Sequence, residues 1–263
     1  MVKCQDVMQA MERIAPRRLA EEWDNPGLLV GSPNDEVKKI LVALDVREET
    51  IEQAIAAGCD MIVAHHPLIF RALKAVRTDD VTGRKIAHLI RAGIAVFAAH
   101  TNLDSAAGGV NDVLAEKLGL SAIAPLADGA ADGEPGLGRI GSLGEPLSLE
   151  DFAALVKERL GLSTLRAVRA GEHEIRRVAL CGGSGAEFIG RAAAKGADVY
   201  VTGDVKYHDG ERAAGLGIHV LDAGHFATEQ PIVAALAERL AKELGTGVEI
   251  SAETKSSDFF QVC

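Results

Sequence analysis

The chain has 263 residues, of which 48% are hydrophobic and 25% charged, and its net charge is −10 at pH 7. That is enough apolar material for a substantial core in one or two domains, and the composition is not that of a disordered chain. The acidic balance disfavours a nucleic-acid partner, because such surfaces are normally basic. No run approaches the ~18 apolar residues of a membrane span.

In chain order, MVKCQDVMQAMERIAP reads as an amphipathic helix through Val7, Met8, Met11 and Ile14 rather than a signal peptide. KKILVALDV is a strand, followed by a helix over Glu48 to Ala57 and a strand over Asp60 to Ala64. A helix over Thr82 to Arg91, a strand over Ile94 to Ala99 and a helix over Val110 to Leu118 continue the βαβ rhythm of a doubly wound sheet. The Gly-, Ala-, Pro- and Asp-rich stretch from Ala122 to Gly138 reads as a linker or domain crossing. LGRIGSLGEP then makes a strand and turn, and SLEDFAALVKERLG a helix with Ser148 as N-cap and Asp151 three residues on. Strands follow near Leu165 to Arg169, Val178 to Cys181, Val199 to Thr202 and His219 to Leu221. A helix over Ile232 to Leu244 and a strand over Val248 to Ser251 end the chain. The fold class is α/β, and length allows one or two domains. The four cysteines, Cys4, Cys59, Cys181 and Cys263, show no Cys-x-x-Cys spacing. They argue against a thiolate zinc site and fit a reducing cytoplasm.

Three strand ends carry metal-binding chemistry. His65 and His66 follow a buried strand in MIVAHHPLIF, and Pro67 breaks that strand so that two neighbouring imidazoles can turn to one site. The strand ending at Ala99 runs into His100, Thr101, Asn102 and Asp104, where α/β active sites collect. Asn102 and Asp104 are also ordinary turn or helix-capping residues. In LDAGHFATEQP, a helix starting near His225 would place His225 and Glu229 on one face, a turn apart, although this spacing is common on surfaces and Pro231 crowds the helix. Three nitrogens and two carboxylates exceed what one open catalytic zinc needs and suit two metals sharing a carboxylate.

CGGSGAEFIG offers a glycine-rich turn that a phosphate or substrate could touch, with Asp204 about twenty residues on. The dinucleotide fingerprint fails there, because Phe188 stands where its third glycine belongs, and a tight turn is the simpler reading. No Walker loop is present.

EEWDNPGLLVG (21–31), ALDV (43–46), AHHPLIF (64–70), HTNLD (100–104), TGDVKYHD (202–209) and DAGHFATE (222–229) together resemble the signature blocks of the NIF-three-like dinuclear metal family. Its bacterial members are commonly named GTP cyclohydrolase 1 type 2 homologs. The six blocks stand in the expected order over essentially the whole chain, and the distance from Asp104 to Asp204 leaves no room for the middle domain of longer members.

The resemblance implies two α/β domains, residues 1–125 plus 226–263 and residues 126–225, with a dinuclear metal site in the cleft between them, and a ring-like homohexamer. It implies one metal on His66 and Asp104, the other on His65 and His225, with Glu229 bridging. The ions would be two divalent metals per chain, from among Zn, Fe, Mn, Co and Ni. A metal-bridged hydroxide would be the nucleophile of a hydrolase. In a GTP cyclohydrolase it would attack C8 of guanine and release formate. His100 is the candidate proton shuttle or an orienting partner of a ligand, with His208 a weaker one. Asp45, Asp204 and Asn102 are available to a guanine edge. Trp23 reads as a lid or, preferably, a plug between domains. The substrate would be a small molecule, with nucleotides first among candidates. The competing class is a non-enzymatic metal chaperone, store or regulatory scaffold.

Overall fold

The structure, a computed structural model, describes residues 1–129 and 134–262. The middle of the expected linker, residues 130–133, and Cys263 lie outside the described residues. The chain begins β1 (Val2–Lys3), α1 (Cys4–Ile14), β2 (Gly27–Val30), β3 (Glu36–Val37), β4 (Lys39–Ala43), α2 (Glu48–Ala57), β5 (Met61–Ala64), α3 (Val81–Ala92), β6 (Ala95–Ala98) and α4 (Thr101–Ser105). It continues with α5 (Val110–Lys117), β7 (Ser121–Pro125), β8 (Arg139–Leu147), α6 (Leu149–Leu160), β9 (Arg166–Val168), β10 (Ile175–Ser184), α7 (Ile189–Ala194) and β11 (Val199–Gly203). The last elements are α8 (Tyr207–Leu216), β12 (His219–Asp222), α9 (His225–Glu229), α10 (Pro231–Leu244) and β13 (Glu249–Ala252). Two units form: residues 1–106 with 232–256, and residues 107–231 with 257–263.

The first unit is built on a five-stranded sheet of order β13-β4-β5-β6-β2. β13, β4, β5 and β6 run parallel, and β2 closes the edge antiparallel to β6. Every residue of β5 and β6 is buried, as expected of short apolar strands covered on both faces. Leu41, Ala43, Ile62, Ala64 and Val96 pack with Ile51 and Ala54 of α2 and Ile86 and Leu89 of α3. The alternate residues Ile40, Val42, Met61 and Val63, which point to the opposite face, are buried too.

The second unit carries a six-stranded sheet of order β7-β8-β10-β11-β12-β9. Its centre is parallel, β10 to β11 to β12, and its edges are antiparallel. Leu114 of α5 and Phe152 and Val156 of α6 pack with Val178, Leu180, Val199, Val201 and Leu221. Ile189 and Ala192 of α7 and Ala213 of α8 pack with Ala179, Cys181, Tyr200 and Val220. Consecutive strand residues thus serve opposite helical layers. Tyr200 is fully buried, and its hydroxyl donates to the Gly185 carbonyl at 2.7 Å.

The α/β reading holds, but each sheet is mixed rather than wholly parallel. The expected linker is partly ordered sheet. β7 lies inside it, because Ser121 to Pro125 pair with β8 through backbone groups that need no apolar side chains. β10 runs on to Ser184, through the glycines read as a turn. The Ser148 hydroxyl accepts the Asp151 N–H as an N-cap should. Cys4, Cys59 and Cys181 are buried and form no disulfide. Among the described residues no helix is long and apolar enough to cross a membrane.

Candidate metal centre

In the first unit, the C-terminal ends of three neighbouring parallel strands supply the polar groups. His65 and His66 follow β5, Asp45 lies just beyond β4, and His100 just beyond β6. The His65 N–H donates to Ala43 O and the His66 N–H to Leu44 O, so the backbone stays registered with its neighbour beyond the strand. The two imidazoles still converge, with ring centroids 4.8 Å apart. His65 is fully buried and His66 half-buried. His100 joins them, 5.3 Å from the ring of His65 and 5.7 Å from that of His66. One nitrogen from each of the three rings lies within 4.8 Å of the others.

Each ring is held in the same way. His65 Nδ1 lies 2.9 Å from the Ala99 carbonyl, His66 Nδ1 2.9 Å from Asp45 Oδ1 and His100 Nδ1 2.8 Å from Asp24 Oδ1. Those oxygens only accept, so Nδ1 carries the proton, and the lone pair of the neutral ring sits on Nε2. His65 Nε2 lies 3.6 Å from Oδ1 of the buried Asp104 on α4. Burial works against ionised Asp24, but hydrogen bonds from His100 and Thr101 outweigh it and hold its carboxyl at about 2. Asp45 is likewise held below the usual carboxylate range, with His66 and Arg47 overcoming burial. Asn102 is buried, and its amide donates to Ala15 O at 2.7 Å, so its role there is to tie α4 to the end of α1.

In the second unit, α9 is a single short helix that starts at His225 and ends at Glu229, ahead of Pro231. This places His225 Nε2 3.1 Å from Oε2 of the buried Glu229. His225 Nδ1 lies 2.8 Å from Oδ2 of Asp204, which follows β11 and has a left-handed backbone with φ +56°. The glycine-rich segment makes room for α9 rather than cradling an anion. A Cβ on Gly183, whose φ is +64°, would fall 2.1 Å from Glu229 Oε1. The N–H groups of Gly182, Gly183 and Gly185 donate to Asn111 Oδ1, Thr228 Oγ1 and Thr202 Oγ1, so these three donors are spent within the fold.

Other expectations resolve differently. Trp23 is 59% exposed rather than a buried plug, and its ring meets Phe70 and His100. His208 lies on the surface of α8, with Nδ1 3.1 Å from Glu211 Oε2. Asp45 and Asp204, suggested for a guanine edge, are the acceptors that orient His66 and His225. Sequence reasoning gave Asp24 no such role, though it lies in the block EEWDNPGLLVG directly after Trp23.

The donor set fits a divalent cation. Imidazoles fixed through Nδ1 present Nε2 beside buried carboxylates, which is how metal-binding histidines are oriented in proteins. Fold and side chains thus define a mixed α/β protein whose strand ends carry residues able to hold metal.

The family model described as Duf34/NIF3 (NGG1p interacting factor 3) matches residues 2–258, and the chain belongs to that family. It is 37% identical over 260 residues to a GTP cyclohydrolase 1 type 2 homolog of Clostridium perfringens, covering 99% of each chain. It is 39% identical to the protein of the same name from Lactococcus lactis, over 99% of this chain and all of the relative. Its match to the Bacillus subtilis homolog spans 368 positions for 98% of each chain, so that relative carries residues this short form lacks. Among solved structures, a Bacillus cereus protein related to NIF3 superposes with a TM-score of 0.94 at 30% identity, covering 100% of this chain and 99% of that one. Reduced HcgD from Methanocaldococcus jannaschii gives a TM-score of 0.82 at 32% identity, covering 95% and 97%.

Proposed function

We propose that the protein holds two divalent metal ions and uses them as a hydrolase of a small heterocyclic molecule, with a nucleotide as the first candidate. His66 and Asp104 would hold one ion, His65 and His225 the other, and Glu229 would bridge them. The observation that carries this reading is the shared anchoring of the histidines, each spending Nδ1 on an acceptor and turning Nε2 to the site side. The two ions, when bound, would supply a water acidic enough to ionise near neutral pH and a Lewis-acid contact to the group under attack. The chain's own residues do the rest. Asp45 and Asp204 hold His66 and His225 in the correct tautomer. Asp24 does the same for His100, which stands beside the cluster as the group that takes or returns a proton. The assembly would be a homohexamer, which light scattering of the purified protein tests.

Turnover of GTP by protein reloaded with Mn, Fe, Zn or Co, with products followed by mass spectrometry, tests the activity. Formate release that disappears in Glu229→Gln supports it, and absence of any product with every metal refutes GTP hydrolysis. A metal-handling role is the second reading. The His225 side chain is 37% exposed against 1% for His65, so one ligand is open to an exchange partner. Rapid release of both ions to a mild chelator supports that role, and slow release opposes it.

A further inference from the structure

The geometry points to a stacking platform, formed by Trp23 and Phe70 at the edge of the histidine cluster, for the planar ring of a mononucleotide. The inference rests on the small-molecule reading above and names how that molecule is held. Trp23 is the chain's only tryptophan, and it is 59% exposed, with Phe70 45% exposed. Two aromatic rings left in water forgo a large hydrophobic gain.

Their exposure is not a matter of a loose loop. The Asp24 side chain is wholly buried and accepts from His100, from the Thr101 N–H and from the Thr101 hydroxyl. The Glu21 N–H donates to Thr101 Oγ1, and the Asn25 amide donates to Ile69 O at 2.6 Å. These bonds fasten the Trp23 segment to the start of α4 on one side and to the residue before Phe70 on the other. A platform held in this way pays little ordering entropy when a ligand arrives.

The rings of Trp23, Phe70 and His100 form a triangle with centroid separations of 5.8, 6.1 and 6.1 Å. Every pair meets edge to face, at 64°, 73° and 82°, so face-to-face stacking is left to a guest. A flat heteroaromatic ring seated there lies next to His100 and the His65–His66 pair. Arg71 directly follows Phe70, and Lys74 is three residues further, both exposed in a chain of net charge −10. Arg71, next to Phe70 in the chain, offers a guanidinium to the phosphate of a seated nucleotide.

The single tryptophan makes the test direct, since all indole fluorescence comes from the platform. The probe is guanosine monophosphate, with ribose 5-phosphate as the matched anion without a base. Saturable quenching by the nucleotide and none by the sugar phosphate is expected. By calorimetry, Trp23→Ala and Phe70→Ala each weaken nucleotide binding by about tenfold or more, with circular dichroism and bound metal unchanged. Unaltered nucleotide affinity in both variants overturns the platform, and so does an emission that responds to protein dilution but to no nucleotide, because a second copy then covers the rings. Nucleotide binding without turnover of GTP under any metal refutes GTP hydrolysis and leaves the platform standing. Turnover with unchanged KM in Trp23→Ala does the reverse.

Discussion

Asp204 reaches His225 from a backbone that L-residues seldom adopt: its Oδ2 lies 2.8 Å from His225 Nδ1 while its φ is +56°. Such a conformation costs about 1–3 kcal/mol and persists where the surroundings demand it. Asp204→Asn keeps the shape and loses the charge, so metal affinity should fall about 10–100-fold with the fold intact. Asp204→Gly should weaken metal binding as well, yet raise the melting temperature of the metal-free protein by relieving the backbone. Chelator competition and thermal unfolding check the pair, and an unchanged affinity in both variants removes Asp204 from the site.

Gly183 is the tightest point around Glu229. Gly183→Ala should destabilise the protein by about 1–3 kcal/mol and lower bound metal, since it meets both strain and a collision with the carboxylate. Gly196→Ala is the control. It has a similar φ of +73° but nothing within 4 Å of the added carbon. Equal metal content in the two variants would show that Glu229 is free to move aside. Urea denaturation and metal analysis give both readouts.

Arg139 is a buried cation, 2% exposed, paired with Asp112 and donating to the carbonyls of Gly136 and Gly138. Removing one member of such a pair strands the other. Arg139→Ala should cost about 3–5 kcal/mol in urea denaturation, without changing metal affinity in whatever folded protein remains. A loss below 1 kcal/mol would mean that water already screens Asp112.

His219 sets a pH dependence. It is buried, stacked on His173 at 4.2 Å, and its Nδ1 accepts the Ala170 N–H. Burial, and then the neighbouring His173, push its pKa below the ordinary 6.5. The unfolded chain therefore binds the proton more readily than the native one. The stability this group contributes is complete above pH 6.5, falls as pH drops below that value, and is fully lost below the depressed native pKa. His219→Gln keeps an acceptor for Ala170 and cannot titrate, so its urea midpoint should fall less steeply over that window. Parallel slopes in the two proteins would exclude His219.

Much of the architecture is legible in residue order. The helix over Glu48 to Ala57 and the strands flanking it emerge from local apolar periodicity, because α2 buries one stripe and β5 is buried on every side. His65, His66, His100 and Asp104 are legible as a group for the same reason, since they stand just past strands whose ends can be seen. What stays hidden depends on partners distant in sequence. β7 is held by pairing with β8, not by its own mostly exposed residues. The three orienting aspartates lie 21 to 76 residues from their histidines, and only the folded chain reveals which imidazole each one serves. Trp23 misleads for a related reason. Indole is normally buried, so its exposure cannot be inferred from composition.

The edge strand β13 pairs in parallel with β4, joining Glu249 to Ala252 with Lys39 to Val42. On the ribosome these partners emerge at opposite ends of translation. The sheet carrying His65 and His66 waits, one edge uncovered, until all six strands of the second unit have been made. The inserted unit has its six strands available earlier, so it can mature first, while the older segment is the one in need of protection during synthesis.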